Sequence, residues 1–157
     1  MTRKIILVCT GNTCRSSMAE ALAKDILSAK RPECAVEISS AGVAAWPGSP
    51  ASPQAVEALK EQGIDLSSHR AKGIDQEELE KADLVLTMTS SHRNYLIGQF
   101  PWAADKIYTL AGYLGSEKDV PDPFGQPVEV YRECAGTLRE MLEAALDKFL
   151  ETNQGKG

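Results

Sequence analysis

The run Cys9-Thr10-Gly11-Asn12-Thr13-Cys14-Arg15-Ser16 carries the strongest chemical signal in the chain. It follows the apolar stretch Ile5-Ile6-Leu7-Val8 and precedes residues with helical spacing. A strand therefore runs into a Gly-containing loop and a helix starts directly after it. This arrangement gathers backbone N–H groups at the positive end of a helix dipole. Such a nest suits a tetrahedral dianion. Thr10, Gly11, Asn12, Thr13, Cys14 and Arg15 supply the expected phosphate-binding loop. Arg15 adds a planar fork that takes two phosphate oxygens at once. Amide dipoles and that one cation favour the thiolate of Cys9. A thiolate beneath a bound phosphoryl group is a nucleophile aimed at phosphorus.

Displacement at phosphorus also needs a general acid for the leaving group, and Asp122 in Asp122-Pro123-Phe124 is the leading carboxyl. Pro123 fixes its own φ and biases Asp122 toward an extended shape. Asp119 is a weaker, solvated candidate. The chemistry expected is attack by Cys9, protonation of the leaving group by Asp122, and a phosphocysteine that water then hydrolyses with Asp122 as base. Ser16 is expected to donate its hydroxyl to the Cys9 sulfur and ease its departure. Asn12 is expected in a left-handed conformation, which Asn tolerates better than most residues. Cys14, in the same loop, is placed to trap an oxidised Cys9 as a disulfide; a buried loop filler is the plain alternative.

These groups must be held by the elements around them. Lys4 to Cys9 reads as a fully buried strand. Ser17 and Glu20 fit a capping box, and Met18, Leu22 and Ile26 continue a helix that ends before Pro32. Val36 to Ile38 reads as a second strand, followed by Ser39-Ser40-Ala41-Gly42 and a loop with Trp46-Pro47-Gly48 at its middle. Ser52 caps a helix whose first residue is Pro53, with Val56 and Leu59 inward and Gly63 as its stop. Gln76 to Lys81 reads as a short helix, Leu84 to Met88 as a third strand. Thr89-Ser90-Ser91 cap a further helix with Tyr95, Leu96 and Phe100 on its apolar side. Lys106 to Leu110 is the fourth strand. A polar loop from Gly115 to Pro127 precedes a helix from about Val128 to Leu150, striped by Tyr131, Cys134, Leu138, Met141, Leu142, Ala145 and Phe149. Strands alternating with helices predict a parallel sheet covered on both faces, with the site beyond the strands' carboxyl ends.

A chain of 157 residues is expected to form a single domain, 1–152, with a frayed tail over 153–157. Its formal net charge of −5 argues against an electrostatic nucleic-acid partner. No apolar run approaches a membrane span, and the run after Met1-Thr2-Arg3-Lys4 is too short for a signal peptide. A cytoplasmic protein is expected. Its four cysteines, Cys9, Cys14, Cys34 and Cys134, are then reduced, the last two as apolar fillers. Two histidines, His69 and His92, and no cysteine cluster of zinc spacing leave no metal site to expect. No cofactor is called for.

The Cys-x5-Arg-Ser loop at the end of the first strand resembles that of the low-molecular-weight protein tyrosine phosphatase family, and the likeness covers nearly the whole chain. It implies a flavodoxin-like, three-layer α/β fold with a four-stranded parallel sheet. It implies Asp122, before Pro and an aromatic, as general acid. It also pairs Asn12 with a Ser after the second strand, which Ser40 fits, and places a supporting His near His69. The family commonly has Pro where this chain has Ser17.

Tyrosine-directed members usually carry Ile or Leu at the position of Thr13, a wall suited to an aromatic ring. Members that act on phosphoarginine resemble this chain in Cys9 to Arg15, in Asp122-Pro123-Phe124-Gly125 and in Met88-Thr89. Phosphorylated protein is thus the expected partner, with phosphoarginine as the first reading. A carboxylate such as Asp122 grips a guanidinium by two N–H bonds, and Phe124 and Trp46 are candidate stacking walls. A phosphotyrosine phosphatase is the alternative. A non-catalytic phospho-residue-binding or redox-sensing module is a remote one, because Cys9, Arg15 and Asp122 are all present. A thioredoxin-coupled arsenate reductase needs downstream resolving cysteines, and none lies between Ala35 and Glu133.

Overall fold

A computed structural model describes residues 2–154, with side chains through Glu151. Strands β1 (Arg3–Cys9), β2 (Val36–Gly42), β3 (Leu84–Thr87) and β4 (Ile107–Thr109) form one sheet in the order β2-β1-β3-β4. All three pairings are parallel. The helices are α1 (Arg15–Lys30), α2 (Pro53–Lys60), α3 (Gln76–Lys81), α4 (Ser90–Gln99), α5 (Leu110–Tyr113) and α6 (Val128–Gln154). A 3₁₀ segment spans Pro101–Lys106.

β1 is central, and its alternation divides the interior. Ile5, Leu7 and Cys9 join the core built with α1, α2, α5 and α6. Ile6 and Val8 join the smaller core built with α3, α4 and the 3₁₀ segment. Burying each of these aliphatic side chains stabilises the fold by about 1.5–3 kcal/mol. An unbroken apolar strand is what a sheet covered on both faces requires. Cys9 pairs with Gly42, and Val8 with Thr87, so β1, β2 and β3 deliver their carboxyl ends to one place.

Several expectations change. Helix α1 begins at Arg15, its N-cap is Cys14, and no side chain caps it. The capping box is therefore absent: the Ser17 hydroxyl donates to the Cys14 carbonyl, and Glu20 accepts from Ser40 and Lys24. The first-turn N–H groups stay directed into the loop. β2 runs on to Gly42. In α2 the buried residues are Ala55, Ala58 and Leu59, with Val56 half-buried. Tyr95 is exposed, while Leu96 carries the inner side of α4. The fourth strand is only Ile107–Thr109, because Leu110 opens α5, capped by Thr109. Helix α6 continues to Gln154, past the expected start of the frayed tail; residues 155–157 lie outside the described residues. Among the described residues no helix is long and apolar enough to cross a membrane.

Candidate active site

The loop between β1 and α1 closes on itself around Asn12. Asn12 is fully buried and has φ 60°, the left-handed value expected for it. Its Oδ1 accepts from the Lys72 backbone N–H at 3.0 Å. Its Nδ2 donates to Ser16 Oγ and Ser40 Oγ, each at 2.9 Å. An amide nitrogen only donates, so this sets the direction of the network. The Ser40 hydroxyl in turn donates to Glu20 Oε1. Ser16 is left to donate to Cys9 Sγ at 2.9 Å. The sulfur thus faces a hydroxyl proton.

Close approach of β2 fixes the loop from one side. Val43 N–H donates to the Cys9 carbonyl and Ala44 N–H to the Thr10 carbonyl, both at 3.0 Å. Gly42 makes this possible: a Cβ there would lie 2.4 Å from Thr10 O and 3.1 Å from Asn12 N. His69 Nε2 bonds the Asn12 carbonyl at 2.6 Å, so it supports the loop as the resemblance implied. Ser52 N–H donates to the Thr13 carbonyl.

Arg15 is 5 % exposed. Its Nη1 donates to the Val120 carbonyl at 3.0 Å and its Nη2 faces Asp122 Oδ2 at 3.5 Å. Nε is the single buried side-chain nitrogen or oxygen without a hydrogen-bond partner among the described residues. A buried guanidinium N–H left unpaired is costly, and an oxyanion seated in the amide-lined loop would satisfy it. Asp122 is half-exposed, and its Oδ1 accepts from Phe124 N–H at 3.0 Å. That local turn, beside Pro123, holds the carboxyl. The segment before it is pinned: Val120 N–H donates to Met88 O, and Asp119 accepts from Ser90 N–H and Oγ. Asp119 is thus engaged at the start of α4 instead of free in solvent.

Trp46 and Phe124 are 81 % and 72 % exposed, so both rings are open to solvent. Thr13 is half-buried, with its hydroxyl 3.9 Å from Cys14 Sγ. Cys14 Sγ contacts Tyr131 Oη at 3.3 Å and Ser52 Oγ at 3.7 Å. Burial, helped by the Cys14 contact, pushes the Tyr131 hydroxyl up to about 12, so it stays protonated and donates. Cys9 and Cys14 are both free thiols. Burial likewise pushes the Cys134 thiol up to about 11, which suits an inert filler. Among the described residues no group of three or more His, Cys, Asp or Glu is placed to hold a metal.

Sequence reasoning overlooked His92. Its Nε2 lies 2.8 Å from Thr10 Oγ1 and its Nδ1 3.0 Å from Thr89 Oγ1. Burial and then the Arg15 charge depress its pKa, against opposing pulls from Asp119 and Asp122. The available signal was position: His92 opens α4 just beyond the carboxyl end of β3, the strand beside β1.

Comparison with known proteins places this geometry in context. The family described as low molecular weight phosphotyrosine protein phosphatase matches residues 4–156. A protein-arginine-phosphatase of Bacillus subtilis is 48% identical over 88% of this chain and 91% of its own length. A protein-arginine-phosphatase of Geobacillus stearothermophilus is 42% identical over 98% of this chain and its whole length. Among solved structures, a YwlE arginine phosphatase Cys-to-Ser mutant with a phosphorylated active-site serine superimposes with TM-score 0.90 at 45% identity. It covers 96% of this chain and 97% of that one.

Proposed function

The chain belongs to the low-molecular-weight phosphotyrosine protein phosphatase family and is a protein phosphatase; we propose that its substrate is phosphoarginine in proteins, hydrolysed through a phosphocysteine on Cys9. The observation that carries the mechanism is Arg15, buried beside the Cys9 loop with Nε unpartnered. The phosphoryl group rests on the loop amides from Thr10 to Arg15 and on this guanidinium. Cys9 Sγ, as thiolate, attacks phosphorus. The P–N bond breaks as Asp122 passes its proton to the departing nitrogen. The ionised Asp122 then takes a proton from water, whose oxygen attacks the phosphocysteine. Phosphate leaves, and Sγ regains its thiolate form with the Ser16 hydroxyl donating to it. Oriented donors of this kind stabilise charge as it develops.

Preference for phosphoarginine is supported by Thr13, whose hydroxyl makes the loop wall polar, and by relatives of that activity. The Asp122 carboxyl, with one oxygen protonated for the leaving nitrogen, presents its other oxygen to a guanidinium N–H, and exposed Phe124 and Trp46 offer flat faces. We read the protein as cytoplasmic, in keeping with its four free thiols. The test is turnover of one protein bearing phosphoarginine against its phosphotyrosine counterpart. Faster hydrolysis of the first supports the reading; preference for the second makes this a phosphotyrosine phosphatase.

A further inference from the structure

The loop is held from opposite faces of the sheet by two different kinds of contact. On the face of α1, α2 and α6, Ser52 at the start of α2 binds the Thr13 carbonyl. On the face of α3 and α4, a buried imidazole binds a side chain, the hydroxyl of Thr10. The alternation of β1 accounts for this. Val8 faces the second core, Cys9 faces the first, and Thr10 follows on the side of α4. Thr10 is exposed, whereas His92 is 6 % exposed. A buried histidine with both ring nitrogens bonded to hydroxyls is a fixed relay.

The cap of α4 suggests the direction of the relay. Thr89 Oγ1 accepts the His92 backbone N–H at 3.3 Å. We assign the tautomer in which the Thr89 hydroxyl directs its own proton to Nδ1 at 3.0 Å. Nε2 therefore bears the ring proton and donates to Thr10 Oγ1. A neutral ring is needed for this, and burial together with Arg15 favours the neutral form despite Asp119 and Asp122. The Thr10 oxygen keeps one lone pair and its own proton for whatever enters the loop beside Cys9.

We propose that Thr10, oriented by His92, is a second specificity-determining hydroxyl, which accepts an N–H of the phosphoarginine guanidinium from the side opposite Thr13. His92 acts through Thr10 and is a positioning residue. This rests on the phosphoarginine reading and deepens it. A phosphotyrosine ring has no N–H to offer at that place, so the contact discriminates between substrates. A site built to bond a polar group rejects an analogue lacking it.

The test is steady-state kinetics of wild type, Thr10→Val, His92→Phe, His92→Gln and the Thr10→Val/His92→Phe double variant, on matched phosphoarginine and phosphotyrosine proteins. Thr10→Val keeps the shape and removes the hydroxyl; it leaves the buried His92 Nε2–H unpaired, so His92→Phe and the double variant are measured beside it. It is expected to lower kcat/KM for phosphoarginine by about tenfold or more, as loss of a hydrogen bond to a charged group does. The loss on phosphotyrosine is expected to be smaller, so the ratio of kcat/KM for phosphoarginine over phosphotyrosine should fall by about fivefold or more. His92→Phe is expected to reproduce this pattern, and His92→Gln, with an amide N–H in reach of Thr10, to recover most of the loss. Because the two residues act as one unit, the double variant should be no worse than the worse single one. Equal losses on both substrates, no loss in Thr10→Val, or additive losses overturn the inference while leaving the phosphoarginine reading intact. Wild-type enzyme inert on phosphoarginine overturns both.

Discussion

Arg15 Nη2 stands 3.5 Å from Asp122 Oδ2, joining a buried cation to a half-exposed carboxylate across two separate loops. The pair is anchored at both ends. Arg15 also holds the Val120 carbonyl, and Asp122 receives the Phe124 N–H. The cation we propose as the phosphate grip thereby also locates the carboxyl we propose for the leaving group. Half the carboxylate is in solvent, so the contact matters for position more than for stability.

Asp122→Asn keeps the shape and the Phe124 bond but has no proton to give. Turnover is expected to fall by about 10²–10⁴-fold, the usual worth of a general acid, while tungstate inhibits with little change. Steady-state kinetics with tungstate titration checks this. A kcat near that of wild type removes Asp122 from the mechanism.

Asn12 combines a left-handed backbone with three side-chain hydrogen bonds, two of them buried. Asn12→Ala is expected to lose about 3 kcal/mol in urea denaturation, roughly one for each bond. Asn12→Gly loses the same bonds but accepts φ 60° freely, so it should be the more stable of the two by about 1 kcal/mol. Equal stabilities would remove the backbone from the explanation.

At Gly42 a Cβ would meet the loop backbone at Thr10 O and Asn12 N, which cannot swing aside, and the Cβ of Ala45. Gly42→Ala is expected to destabilise by about 1–3 kcal/mol, as overpacking does, and to displace Thr10 and Asn12. Phosphate affinity should drop with it, read by calorimetry. Unchanged affinity would mean that the loop does not depend on this approach.

His92 titrates below its ordinary value of 6.5 because it is buried near Arg15. Below that value the unfolded chain binds a proton that the folded ring resists. Stability is therefore fully present above pH 6.5 and falls as pH drops toward the folded value. Urea midpoints measured across this range should show the fall in wild type and a shallower one in His92→Gln. Identical pH profiles would contradict the assignment.

The loop geometry was legible because it is local. Cys9, Arg15, Asn12 and Ser16 lie within one short stretch whose spacing has a mechanical meaning, and Asp122 is marked by Pro123. What escaped depends on distant elements. His92 meets Thr10 from 82 residues away, Val120 meets Arg15 from 105, and Tyr131 meets Cys14 from 117. Periodicity shows that α4 and α6 exist, not which of their residues overhang the loop. Ser17 and Glu20 have the letters of a capping box, yet helix α1 already starts at Arg15. Its first N–H groups stay open to an anion, and Glu20 closes the Asn12 network through Ser40 instead. Tyr95 matched the apolar spacing of α4, but Leu96, with Ile97 and Phe100 partly buried beside it, makes the contact with the core.

Quenching the wild-type enzyme during turnover of a phosphoarginine protein and mapping phosphate by mass spectrometry tests the central claim most directly. The account predicts a phosphoryl group on Cys9 and nowhere else, accumulating before free phosphate and absent from Cys9→Ala. Turnover by Cys9→Ala, or phosphate found only on another residue, would contradict it.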